Sequence, residues 1–238
     1  MHPCFHLALI SLSLKQNIGN PMKLSDIIDL SHTLSSTISV YPGSDNPVIH
    51  TLAVFEQDGF REKQLILSTH HGTHIDCPFH LFSEGFHTEN APLPGFFGKG
   101  LVVDCRKTVP PHSINLDFIR FHEAAIADTD FLLLLTGMDR YWNTSLYTDS
   151  FPILTPEAAD YLTHFHLKGI GLDTLSIDPV EDTLLIIHKT FLSRNIIIIE
   201  NLTGLEQLLD KKFRFSCFPL KIEEGDGSPV RACALIIA

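Results

Sequence analysis

His70-His71-Gly72-Thr73-His74-Ile75-Asp76-Cys77-Pro78-Phe79-His80 places four metal-type ligands, His70, His74, Asp76 and His80, within eleven residues. Their intervals of four, two and four keep all of them at even positions, and on an extended chain alternate side chains share one side. His70 and His74 are also i and i+4, the spacing with which a helix offers two histidines to zinc in H-E-x-x-H sites. The helix fails here. Position 71 is His instead of Glu, Gly72 and Thr73 are poor helix formers, and Asp76 would lie about 200° around the axis from His74. The run predicts a strand over Leu65 to Asp76, ended by Pro78, with His80 returning from the loop. Gly72, between the two histidines on that side, leaves space for an ion and a water. A lone histidine in an apolar strand is ordinarily a packed core residue. Four ligand types of one parity instead predict a metal site, and imidazole with carboxylate suits Zn²⁺ or Mn²⁺.

Outward from this run, the 238 residues are 44% apolar and 19% charged, enough for one sizeable core and one domain. A formal net charge of -11 without a Lys/Arg cluster argues against nucleic acid or an anionic membrane as partner. Cys4, Cys77, Cys105, Cys217 and Cys233 are odd in number and scattered, so no disulfide framework is expected. Cys77 sits at an odd position and reads as a small buried residue turned away from the ligands. The apolar patch Phe5 to Leu14 is too short to span a bilayer and has no Lys or Arg before it. Met22-Lys23-Leu24 is a more natural beginning. Residues 1–21 are therefore expected to be a disordered extension or a start-site artefact ahead of a domain over 22–238. The expected location is the cytoplasm, with a weak export signal as the other reading of the leader.

Apolar runs alternate with amphipathic stretches, which predicts an α/β fold. The predicted strands are Ile27 to Leu34, Leu65 to Asp76, Gly100 to Asp104, Phe131 to Thr136, Gly169 to Leu172, Ile196 to Glu200 and Val230 to Ile237. Thr155 as N-cap and Pro156 at the first helical position open a helix through about His166. Asp117 to Ala127 and Asp182 to Arg194 are the other predicted helices, and Asp226-Gly227 with Ser228-Pro229 reads as a turn.

One strand cannot close a metal shell, so further ligands are expected at the ends of other elements. His188 lies in the apolar stretch Leu184-Leu185-Ile186-Ile187-His188, and Glu200 ends the run Ile196-Ile197-Ile198-Ile199-Glu200. A carboxylate there needs a partner, because burying it ionised and alone costs several kcal/mol. A metal and a basic side chain are equal alternatives at this stage.

The run His70-x-Gly-Thr-His74-x-Asp76-x-Pro78-x-His80 resembles the signature of the cyclase family of metal-dependent hydrolases, which includes bacterial kynurenine formamidases and isatin hydrolases. Val40-Tyr41-Pro42-Gly43, Thr136-Gly137, Phe151-Pro152 with Glu157-Ala158-Ala159, and Gly171 to Pro179 resemble further family motifs, and His188 precedes Glu200 at the family's spacing. The resemblance covers Lys23 to Ile237. It implies that His70, His74 and Asp76 hold one metal, that Asp76 and Glu200 bridge to a second held also by His188, and that His80 is the general acid/base. It implies a compact α/β fold of the swivelling β/β/α type, assembled as a homodimer or homotetramer.

The implied chemistry is metal-assisted attack of water on a small amide, with His80 passing a proton to the leaving nitrogen. The chain lacks a G-x-S-x-G elbow, which disfavours a serine route. The best single expectation is an arylformamidase converting N-formylkynurenine to kynurenine and formate with two divalent ions, zinc ahead of manganese. The alternatives are a hydrolase of cyclic amides such as isatin, a ring-closing cyclase, and a non-catalytic metal-containing binding protein. Tyr41, Phe79, Phe82 and Trp142 are candidates for an aromatic pocket. Arg140 is expected to meet either a substrate carboxylate or a structural ion-pair partner. Formamidases of the family tend to have Trp at position 41 and Ala at position 73, where this chain has Tyr and Thr. Glu224-Gly225 replaces the usual Gly-Ala, at what reads as a surface turn.

Overall fold

Short continuous apolar runs form the centre of the molecule, because a strand covered on both faces needs no polar alternation. The computed structural model describes residues 26–107 and 113–237, so the extension expected over 1–21 lies outside the described residues. The strands are β1 (Ile27–Asp29), β2 (Val48–Ala53), β3 (Glu62–Ile66), β4 (His74–Asp76), β5 (Phe97–Asp104), β6 (Ser113–Ile114) and β7 (Phe131–Leu135). They continue with β8 (Ile153–Leu154), β9 (Gly169–Leu172), β10 (Ile197–Glu200), β11 (Phe213–Ser216), β12 (Gly227–Pro229) and β13 (Cys233–Ile236).

Among the described residues, nine strands make one mixed sheet in the order β1-β13-β11-β5-β7-β9-β10-β4-β12. Its middle, β5-β7-β9-β10, is parallel, and antiparallel strands extend it on both sides. Alternation along β7 splits the core between the two faces. Leu132 and Leu134 join Ile119, Ala158 and Phe191 under the helices, while Phe131, Leu133 and Leu135 pack with Phe213, Phe215 and Leu205 on the other face. Each such fully buried aliphatic or aromatic side chain contributes about 1.5–3 kcal/mol. The result is the expected α/β domain with a curled sheet.

Several elements differ from expectation for local reasons. The strand predicted over Leu65 to Asp76 is two elements. β3 stops at Ile66, the His71 amide turns back to the Ser68 carbonyl (3.2 Å), Gly72 adopts φ +67°, and β4 begins at His74. The left-handed conformation of Gly72, one that residues with a side chain rarely adopt, reverses the chain. The helix expected over Asp117 to Ala127 breaks at His122, whose amide bonds back three residues to Ile119, giving helices Leu116–Phe121 and Glu123–Ile126. The helix expected from Asp182 starts only at Ile186. The Asp182 carboxylate accepts the Leu184 and Ile186 amides, and Leu185 is left-handed at φ 51°. The Thr155 cap is as predicted, accepting the Ala158 amide, although the helix ends at Leu162 and not His166. β1 ends at Asp29, whose carboxylate accepts the Ser31 amide, short of the predicted Leu34. The final strand is Cys233–Ile236, shorter than Val230 to Ile237. The predicted turn at Asp226 to Pro229 is largely strand β12, paired with β4.

Candidate metal centre

His74 and Asp76 lie two residues apart on buried β4 and therefore on one side of it. β4 runs between β10 and β12, in a register that sets Glu200 opposite His74 and Gly227 opposite Asp76. His70 arrives from the turn before Gly72, and His188 from the first turn of helix Ile186–Leu192. Two groups share Asp76: His70, His74 and Asp76, and Asp76, His188 and Glu200. Within each group the ligand atoms lie within 4.8 Å of one another.

The hydrogen bonds fix which nitrogens face inward. His74 Nδ1 lies 2.9 Å from the Gly72 carbonyl, which can only accept, so the proton belongs on Nδ1 and Nε2 presents a lone pair. That Nε2 is 3.3 Å from Asp76 Oδ1 and 3.5 Å from Glu200 Oε2. His188 repeats the pattern, with Nδ1 at 2.7 Å from Asp178 and Nε2 at 3.5 Å from Asp76 Oδ2 and 3.4 Å from Glu200 Oε1. Imidazole and carboxylate lone pairs thus converge in a buried space, an arrangement that cations or shared protons must fill. A divalent metal fits this donor set, and the outward nitrogens are oriented as they are around ligated histidines.

Without a metal, protons take that place. Burial resists charge on His70, but Asp76 and Asp226 outweigh it and raise its pKa to about 10. Burial also resists charge on His188, yet Asp178, Asp76 and Glu200 push it up. Asp76 is fully buried, which favours its neutral form, and His70 and His74 nevertheless hold it well below the usual carboxylate range. Hydrogen bonds from His70 and His80 depress Asp226 likewise.

A cavity of about 410 Å³ opens over these groups, with His70, His74, Asp76, His80, His188 and Glu200 in its lining. Of the expected pocket residues, only Tyr41 lines it, donating its hydroxyl to the Val180 carbonyl at 3.0 Å. Phe79 packs against His87 at 3.9 Å between centroids, and Phe82 packs on the helical core. Trp142 stacks on His32 at 4.0 Å and meets Tyr147 edge-on. Arg140 donates to the Gly137 carbonyl and lies over Tyr141, beside a separate cavity. Cys77 is buried, with its thiol pushed up to about 12 by burial. Gly72 does not make room for an ion: its contribution is a carbonyl that accepts from His74 and from Asn201 Nδ2 (3.0 Å).

Three residues escaped the sequence reading. Asp178 orients His188, and Asn201 joins Gly72 to the Tyr147 hydroxyl (2.8 Å). Asp226 contacts both His70 (2.9 Å) and His80 (3.1 Å). Asp178 lies in the stretch Gly171 to Pro179 that resembles a family motif, and Asp226 directly follows the Glu224-Gly225 that stands where the family has Gly-Ala, which were the available signals.

Comparison with known proteins agrees with this geometry. The family described as "Putative cyclase" matches residues 28–179. A kynurenine formamidase of Bacillus cytotoxicus is 31% identical over 216 residues, 89% of this chain and 98% of that protein. The kynurenine formamidase of Bacillus thuringiensis (strain Al Hakam) is 30% identical over 213 residues, with the same coverage. In structure, an isatin hydrolase bound to the product analogue thioisatinate superposes with a TM-score of 0.80 at 23% identity, over 89% of this chain and 92% of that one. A protein from Bacillus stearothermophilus described as a predicted metal-dependent hydrolase gives 0.72 at 26% identity, over 87% and 97%. Fold, donor set and relatives define the class: an α/β hydrolase of carbon–nitrogen bonds other than peptide bonds, with side chains arranged for divalent metal. Within that class, the chain belongs to the cyclase family.

Proposed function

We propose that this protein is an arylformamidase-type amidohydrolase that holds two zinc ions per chain and acts on N-formylkynurenine or a close aryl formamide. The carrying observation is the pair of ligand groups sharing Asp76 at the floor of one cavity, with His80 beside them. His70, His74 and Asp76 would hold one ion and Asp76, His188 and Glu200 the other. Zinc is favoured over manganese by the affinity order for such ligands. When bound, such ions acidify a water and polarise the substrate carbonyl.

The chain's residues supply the rest. His80 directs Nδ1 to Asp226, which leaves Nε2 to take a proton as the water oxygen bonds to the formyl carbon. The same Nε2 then returns that proton to the amide nitrogen as the C–N bond breaks, releasing formate and an arylamine. Tyr41, held against Val180, closes one wall of the cavity.

One observation favours a second substrate. Among the described lining residues there is no Lys or Arg to receive the amino-acid carboxylate of N-formylkynurenine, whereas isatin, a cyclic amide, carries none. The test is turnover of both compounds by zinc-loaded protein, with and without chelator. Chelator-sensitive hydrolysis of N-formylkynurenine supports the formamidase reading, cleavage of isatin alone moves the assignment to cyclic amides, and chelator-resistant turnover overturns the metal chemistry.

The domain is taken to span residues 22–238. It is assigned to the cytoplasm, consistent with free thiols at Cys77, Cys217 and Cys233 among the described residues. Among those residues no helix is long and apolar enough to cross a membrane. A second copy of the chain is the proposed partner of the β2–β3 arm, which exposes Leu52, Phe55, Phe60, Leu65 and Ile66.

A further inference from the structure

We propose that Asp226 is the positioning residue of the proton shuttle, one carboxylate that sets the ring of His80 and the ring of His70 in a common frame. The inference rests on the reading of His80 given above. Asp226 Oδ2 lies 3.1 Å from His80 Nδ1 and 2.9 Å from His70 Nε2, while His70 Nδ1 faces Asp76 Oδ1 at 2.6 Å. A single oxygen therefore links the shuttle to a ring that also touches the residue shared by both ligand groups.

The backbone builds this contact. β12 pairs with β4 so that Gly227 stands opposite Asp76, and the Asp226 carbonyl accepts the Cys77 amide at 2.8 Å, immediately before the turn Pro78–His80. The Asp226 backbone is thereby tied to the turn that carries His80. Gly227 completes the fit. A Cβ at that position would lie 2.8 Å from His70 Cε1 and 2.6 Å from the Ile75 carbonyl, so only glycine lets the His70 ring lie against the strand beside Asp226. On the other side, the Thr88 amide donates to the Gly225 carbonyl at 2.9 Å and fixes the approach to the aspartate.

The chemical consequence follows from the acceptor. A carboxylate facing Nδ1 holds the His80 proton on that nitrogen and leaves Nε2 bare, the state needed to accept a proton from water. When Nε2 takes that proton, the adjacent carboxylate balances the imidazolium until the proton passes to the leaving nitrogen. The His80 and Asp226 side chains are 27% and 34% exposed, and partly exposed ion pairs add little to stability. Loss of Asp226 is therefore expected to be read in chemistry and not in melting temperature.

The experiment uses zinc-loaded wild-type protein with Asp226→Ala, Asp226→Glu and His80→Gln. Ring ¹⁵N NMR, with His80 assigned by its absence in His80→Gln, should show His80 protonated on Nδ1 in the wild type and mainly on Nε2 in Asp226→Ala. Zinc per chain should be unchanged by Asp226→Ala. On 4-methoxyformanilide its kcat should fall about 10–100-fold with KM moved less than about threefold. The loss should shrink on 4-nitroformanilide, whose leaving nitrogen needs less protonation, and Asp226→Glu should recover part of it. A wild-type His80 protonated on Nε2, zinc loss in Asp226→Ala, or equal deficits on both anilides would overturn the proposal. Zinc beyond two per chain that disappears in Asp226→Ala would overturn it too, by making His70, His80 and Asp226 a third ion site. If the wild type cleaves no formanilide, the formamidase reading fails, and the ring tautomer still decides the role of Asp226.

Discussion

Asp76 turns one oxygen toward His70 and His74 and the other toward His188, so both ligand groups depend on it. Asp76→Asn replaces one of those oxygens with a donor amide and should lose most of the bound zinc and all measurable turnover. His80→Ala should keep its zinc while kcat drops about 10²–10⁴-fold, the range for removing a general acid/base. Metal analysis beside kinetics checks the pair, and equal zinc loss in both would remove His80 from its role. A second residue governs acid stability. His32 stacks on Trp142, its Nε2 is buried without a hydrogen-bond partner, and burial lowers its pKa to about 4 against the pull of Asp139. Its folded-state pKa is below the unfolded value of 6.5, so the unfolded chain binds the extra proton first. The contribution of His32 is complete above pH 6.5 and is lost as pH falls toward 4. Allowing for partial exposure, the loss is roughly 2 kcal/mol. Urea unfolding between pH 4 and 7 should therefore show a steeper acid limb in the wild type than in His32→Phe, and parallel limbs would rule the residue out.

Elements were legible where one property decided them. Gly169–Leu172 and Phe131–Leu135 are wholly apolar and buried, so composition and position coincide. The Thr155-Pro156 helix start was equally readable, because the cap and the fixed φ of proline act locally. Strand parity selected His74 and Asp76 correctly as neighbours on one side, yet it joined His70 to them for the wrong reason. That histidine reaches the site through a turn at Gly72, and a turn of that kind has no periodicity to read. Asp226 was missed because Asp-Gly is a turn signal by itself, whereas here the pairing of β12 with β4, more than 150 residues away in the chain, overrides it. Of the aromatic residues proposed for the pocket, Tyr41 lines it while Phe79, Phe82 and Trp142 pack elsewhere for the same reason, since only tertiary packing separates a wall from a core. The β12–β4 pairing carries its own prediction. In Gly227→Ala the new methyl meets backbone at Ile75 as well as His70, so flexible repacking cannot relieve it. The variant should lose about 1–3 kcal/mol and bind zinc at least 10-fold more weakly, measured by urea melts and by competition with a chromophoric chelator. Wild-type zinc affinity would show that His70 does not depend on this close approach.

On the scale of the whole molecule, two couplings follow from exposed apolar surface and from buried charge. The β2–β3 arm leaves Leu52, Phe60, Leu65 and Ile66 more than half exposed, apolar surface suited to a second copy. Light scattering should report a dimer or tetramer, and Leu65→Glu with Phe60→Glu should shift it to monomer; an unchanged mass would place the interface elsewhere. The second coupling joins the metal to the fold. The proposed ligands Asp76, His188 and Glu200 come from β4, helix Ile186–Leu192 and β10, and β4 lies about 110 residues before the other two, so these groups meet only in the native state and an ion held by them binds the folded chain alone. Zinc at 1,000 times its dissociation constant should then add about 4 kcal/mol, and chelator should remove it. Zinc takes neutral imidazole, whereas in the metal-free protein His70 is raised to about 10 and His188 is also pushed up, so both carry protons at pH 7. Binding must expel those protons, and apparent affinity must weaken as pH falls. Calorimetric titration in buffers of different ionisation enthalpy should count about two protons released per chain at pH 7. A count of zero would mean that zinc does not displace the protons of His70 and His188, and the two-ion reading of these ligands would fall with it.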